Sequence, residues 1–164
     1  MSRRTEVSAG ILAFRRRDKG GIELLLAHPG GPYWRNRDEG AWSIPKGLVE
    51  TDDLLACARR EFNEETGLSA AGPFVPLTPQ RQKSGKTVHA FACEGDFDLS
   101  GFSSNSFEME WPPRSGKQAS FPEVDRIAYF KLATARRKIL PGQRAFIEEL
   151  VHRLNGQAQE ESGE

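Results

Sequence analysis

Apolar residues recur along this chain with two periods, and the switches between them divide it into elements. Residues 7–14 and 22–27 are dense in Val, Ile, Leu, Ala and Phe. The charged turn between them ends on Gly20-Gly21, so the two runs predict a β-hairpin. Residues 29–40 carry Gly30, Gly31, Pro32 and several charges, which predicts a long loop leading into a strand at 41–44. The period then changes to that of a helix. Leu54, Leu55, Ala58 and Phe62 recur on one face, Thr51, Asp52 and Asp53 offer N-cap oxygens, and Gly67 is a natural stop, so a helix is expected over 52–66. Strands are predicted at 74–82 and 86–94, around the Ser84-Gly85 turn, and at 124–130. Helices are predicted at 132–139 and 142–154, the second with Phe146, Leu150 and Val151 on one side. Residues 95–118, interrupted by Pro112-Pro113, read as a structured loop or lid insertion. Residues 155–164 read as a frayed tail. Strands alternating with helices predict an α/β fold, and 164 residues suffice for a single domain over 1–154.

The predicted helix at 52–66 carries an electrostatic conflict. Glu61, Glu64 and Glu65 stand at i, i+3 and i+4, so they project as one patch. Like charges at that spacing oppose a helix by a few tenths of a kcal/mol, and carboxylates near its C-terminus also face the negative end of the macrodipole. The bland resolution is a solvated face paired with Arg59 and Arg60. The chemical one is a hard divalent cation held by oxygen ligands, for which Mg²⁺ is the natural candidate.

The context favours the second. Upstream, Trp42-Ser43-Ile44-Pro45-Lys46-Gly47-Leu48-Val49-Glu50 breaks into a Pro/Gly turn that delivers a lysine and a flexible backbone to the helix start. Arg60-Glu61-Phe62-Asn63-Glu64-Glu65-Thr66-Gly67-Leu68 follows, and from Gly47 to Leu68 the chain resembles the Nudix hydrolases. Their signature is G-x5-E-x7-R-E-U-x-E-E-x-G-U, with U a bulky apolar residue. The second half matches throughout. The first half is one residue short between Gly47 and Arg60, and Asp52 stands where the signature has Glu.

The resemblance implies an α/β/α sandwich with a mixed sheet, and the hydrolysis of a phosphoanhydride in a nucleoside diphosphate-linked substrate such as a nucleoside or dinucleoside polyphosphate. It implies Mg²⁺, or Mn²⁺, held by Glu61, Glu64, Glu65 and the backbone at Gly47 or Lys46, with Arg60 orienting the acids. Glu64, or Glu108 or Glu110 from the lid, would take the proton from water. Lys46, Arg35 and Arg81 are candidate phosphate contacts, and Trp111, Trp34 or Phe107 candidate base platforms. The alternative is a Nudix-fold nucleotide sensor that binds without cutting. A homodimer is expected by the same resemblance.

Charge adds an exclusion. The 23 basic and 23 acidic residues cancel, which gives no general electrostatic footprint for nucleic acid or membrane. Cys57 and Cys93 lack metal spacing, and Cys57 reads as a small buried thiol. With no apolar run of spanning length, a cytoplasmic location is expected.

Overall fold

In the computed structural model, residues 6–51 and 53–162 are described, with side chains through residue 157. Strand β1 (Val7–Arg16) is buried almost without interruption from Ser8 to Phe14. That is the pattern of a strand covered on both faces. It pairs antiparallel with β2 (Ile22–Pro29), antiparallel with β3 (Lys46–Leu48), and parallel with β6 (Thr87–Glu94), from Val7 opposite Thr87 to Phe14 opposite Glu94. Strands β4 (Val75–Pro76) and β5 (Gln80–Arg81) both join β6, and β9 (Val124–Lys131) joins β2. The result is a seven-stranded mixed sheet with main order β4-β6-β1-β2-β9.

The period-2 alternation of β1 sorts its side chains into two cores. Ala9, Ile11 and Ala13 pack with Cys57, Ala58 and Phe62 of helix α1 (Leu54–Thr66). Leu12 and Phe14 pack on the opposite face with Ala135 of α2 (Leu132–Lys138) and with Phe146, Ile147 and Leu150 of α3 (Arg144–Ser162). The sandwich implied by the resemblance is therefore present, and Cys57 is buried within it. No helix among the described residues is long and apolar enough to cross a membrane.

Several sequence expectations need correcting. The strand expected at 41–44 is only a pair of isolated bridges, Ala27 with Ser43 and Trp42 with Ile139. Ile44 instead donates its amide to the buried Gln143 Oε1 at 3.0 Å, and the strand proper begins after Pro45. The single strand expected at 74–82 is two short pieces. Pro76 and Pro79 have no amide to give to a ladder, and Thr78 turns its own to Glu149 Oε1 at 2.7 Å. The tail read as frayed from residue 155 is helical to Ser162, since its Gln, Glu and Ala residues propagate α3 once it has started. The structured loop or lid insertion expected at 95–118 ends too early, because a separate hairpin of β7 (Ser106–Glu110) and β8 (Gln118–Pro122) begins within it and runs past it, with Phe107 opposite Phe121 and Met109 opposite Ala119.

Candidate active site

Helix α1 is fixed at both ends. Asp53 caps it by accepting from the Ala56 amide at 2.7 Å, and Gly67 closes it in the left-handed conformation (φ 76°), donating to the Asn63 carbonyl at 2.7 Å. With Phe62 fully buried beneath the helix, Glu61, Glu64 and Glu65 are turned toward β3. There Gly47 allows an approach that no other residue would. A Cβ at that position would collide with the Glu61 carboxylate. The glycine of the motif thus makes room for the first of its glutamates.

The acids line a cleft of ≈ 390 Å³ together with Lys46, Gly47, Leu48, Glu50, Asn105, Ser106 and Glu123. Arg60 Nη1 donates to Glu61 Oε1 at 2.9 Å and to Glu64 Oε2 at 3.4 Å. Burial, and then the neighbouring Glu61, push the Glu65 carboxyl up to about 8. The Lys46 ammonium and its backbone amide pull in the opposite direction. Burial also raises Glu61, against the Arg60 hydrogen bond, and lowers Lys46, against the charge of Glu65. Among the described residues, no three His, Cys, Asp or Glu side chains close on one point as they stand, and Glu61 and Glu64 are both paired with the Arg60 guanidinium. The donor chemistry nevertheless suits a hard cation. Two partly desolvated carboxylates, Glu61 beside the Gly47 backbone and Glu65 beside that of Lys46, are both shifted toward their neutral forms by burial, and added positive charge there would favour the ionised ones.

The remaining sequence candidates divide. Lys46 faces the cleft. Arg35 on the 30–40 loop and Arg81 on β5 are exposed and line no part of it. Glu108 and Glu110 lie on the exposed face of β7, outside the cleft, and Glu110 Oε1 accepts from the Arg114 amide at 2.7 Å. Trp111 stands edge-on to Tyr33, with 5.4 Å between ring centroids, rather than in the cleft. Asp52 lies outside the described residues.

Glu123 is what the sequence reading missed. It sits at the foot of the hairpin, between β8 and β9, and its charge helps raise both Glu61 and Glu65. A backbone relay holds it there. Asn105 donates to the Glu64 carbonyl at 2.9 Å, Glu123 donates to the Asn105 carbonyl at 2.7 Å, and Gly30 donates to the Glu123 carbonyl at 2.9 Å. No local pattern announces this residue, because only the fold-back of the hairpin brings it to α1.

A profile of the NUDIX domain matches residues 4–150. The chain belongs to the Nudix family. Over 69 residues it is 42% identical to an uncharacterized 17.7 kDa protein in the e-segB intergenic region of Enterobacteria phage T4. That match spans 41% of this chain and 43% of the phage protein, less than half of either. Similar folds include an Ap4A hydrolase of C. elegans in a binary complex, at 19% identity and TM-score 0.64 over 91% of this Nudix chain and 98% of the other. A mutT/nudix family protein of Listeria innocua is 15% identical with TM-score 0.64 over 94% and 98%. The NUDIX domain of Shewanella oneidensis NrtR, complexed with ADP ribose, is 15% identical with TM-score 0.63 over 93% and 90%.

Proposed function

We propose that this Nudix protein is a divalent-metal-dependent pyrophosphohydrolase that cuts a phosphoanhydride in a nucleoside or dinucleoside polyphosphate. The observation that carries the reading is the convergence of Glu61, Glu65 and Glu123 with Gly47 and Lys46 on one cleft. Glu61, Glu64, Glu65 and the Gly47 carbonyl would hold Mg²⁺ or Mn²⁺, which supplies neutralisation of the polyphosphate's non-bridging oxygens and acidifies water. Arg60 positions Glu61 and Glu64 through charge-assisted hydrogen bonds. The Lys46 ammonium, already beside Glu65, offers a positive charge to the phosphate chain.

Glu123 takes the proton from the attacking water. Among the described residues no ion pair joins a cation to its carboxylate, and it lines the same cleft as the α1 glutamates. Glu64, held by Arg60, is better engaged in ligand positioning. Glu108 and Glu110, further along β7 than Ser106, are not among the residues lining the cleft. The test is a panel of nucleoside triphosphates, Ap4A and ADP ribose, assayed with Mg²⁺, with Mn²⁺ and with EDTA. Metal-dependent turnover of at least one is expected, and turnover of none would overturn the reading.

A further inference from the structure

The segment that carries Lys46 and Gly47 into the cleft is held from an unexpected side. Ser43 exchanges backbone bonds with Ala27, at 2.8 and 2.9 Å, and at Lys46 the pairing of β3 with β1 begins. Between these two anchors the backbone has one amide proton to place, because Pro45 has none. It belongs to Ile44, which is buried and so cannot give it to bulk water. Gln143 Oε1 accepts it at 3.0 Å, from the short turn Pro141–Gln143 that leads into α3.

The other end of the same side chain fixes its orientation. Ser43 Oγ donates to the Ile44 carbonyl at 2.7 Å, which leaves that oxygen to accept, and Gln143 Nε2 donates to it at 3.0 Å. Turned over, the amide would set donor against donor at Ile44. Gln143 is fully buried, and its backbone amide donates to the Leu140 carbonyl at 2.9 Å. Its carboxamide therefore does for residues 43–44 what the peptide group of an adjacent strand would do, across the gap that Pro45 leaves in the ladder. What comes next has little freedom. A residue before proline is confined to extended backbone, and the Pro45 carbonyl accepts from the Ile11 amide at 3.1 Å. The Lys46 amide then donates to the Glu65 carboxyl, and Gly47 approaches the Glu61 carboxylate so closely that a Cβ would collide.

We propose that Gln143 is a positioning residue of the acidic cleft: its carboxamide fixes Ile44, and through Pro45 the place at which Lys46 and Gly47 meet Glu65 and Glu61. The inference rests on the hydrolase reading for what the cleft does. A buried glutamine satisfied at both ends is otherwise a contributor to stability alone, and the two roles differ in what the folded molecule can still bind. A contact as close as that of Gly47 with Glu61 tolerates little displacement, so the loss of this acceptor reaches the acids while the fold persists.

The experiment uses the full chain as wild type, Gln143→Met, Gln143→Glu and Leu150→Ala, with Mn²⁺ affinity read by electron paramagnetic titration below the unfolding temperature of every variant. Gln143→Met keeps the length of the side chain and removes the acceptor. Its Mn²⁺ affinity should fall about ten-fold or more, the range for lost support of a metal ligand. Gln143→Glu should recover most of it, since burial favours the neutral acid, whose carbonyl accepts and whose hydroxyl donates as the amide does. Leu150→Ala truncates the core on the α3 face of the sheet, so it should lose stability and keep the wild-type affinity. Wild-type affinity in Gln143→Met, no recovery in Gln143→Glu, or an equal loss in Leu150→Ala would each overturn the inference. If Gln143→Met does not fold, Gln143→Asn, which withdraws the amide by one methylene, takes its place under the same criteria. Hydrogen exchange of the Lys46 amide in metal-free protein separates this inference from the hydrolase reading. Faster exchange in Gln143→Met than in Leu150→Ala, with no turnover of any nucleotide by the wild type, would sink the hydrolase reading and keep Gln143 in its role. Metal-dependent turnover by the wild type, with exchange and kcat/KM unmoved by Gln143→Met, would do the reverse.

Discussion

The amide of Glu123 donates to the carbonyl of Asn105 across 2.7 Å, closing the base of a hairpin whose other foot is tied to the Glu64 carbonyl. A carboxylate is thereby held at the cleft of the α1 glutamates without belonging to α1. Glu123→Gln keeps the shape and the backbone bonds but removes the proton acceptor. Its kcat should fall about 10²- to 10⁴-fold, the usual range for a lost general base, with a much smaller change in KM. Phosphate release under saturating substrate measures it, and a kcat equal to wild type would remove Glu123 from the chemistry.

Gly47→Ala places a methyl group on the Glu61 carboxylate. The helix or the strand must shift, at about 1–3 kcal/mol for overpacking. Loss of Mn²⁺ binding by electron paramagnetic titration should accompany the loss of activity. Full Mn²⁺ affinity in this variant would mean that Glu61 is not a ligand.

Glu65→Gln distinguishes an enzyme from a sensor. The variant should retain nucleotide binding by calorimetry while losing most of its turnover, and EDTA should abolish wild-type turnover in the same assay. Wild-type nucleotide binding with no product would favour the sensor.

Away from the site, Glu23 governs a pH-dependent share of stability. The hydrogen bond from Arg15, at 2.8 Å, is the main influence holding its carboxyl below the ordinary range. Partial burial opposes this, and Arg17 assists. The ionised form is therefore preferred in the folded state. The contribution is present above the unfolded pKa of about 4.3 and disappears as pH falls through the lower folded value. Urea denaturation should show wild type more stable than Glu23→Gln at pH 6, with the gap closing toward pH 3. A gap independent of pH would assign the effect to packing.

The carboxylate cluster that lines the cleft was legible because its residues are contiguous: three glutamates on one helix, with a glycine and a lysine just before it, keep their relation whatever the rest of the chain does. The two-core sheet was expected only from the family resemblance, because β1 is apolar on both faces and the division of Ala9, Ile11 and Ala13 from Leu12 and Phe14 appears only once the helices are packed on it. What escaped was non-local. Glu123 reaches the cleft through pairing of β7 with β8, and nothing around Pro122-Glu123-Val124 marks it. Glu108 and Glu110 were assigned to the cleft from their place in a supposed lid. They share a strand face with Ser106, which does line the cleft, and it is their distance along β7 from its foot that leaves them out, a length the sequence did not reveal.

The hairpin has a practical consequence. Both of its feet are tied into the body of the protein, whereas residues 112–116 at its tip are exposed. That turn is accordingly a place where a fluorophore or a few extra residues can be attached without moving Glu123, and from which a reporter would register events in the cleft through a single pair of short strands.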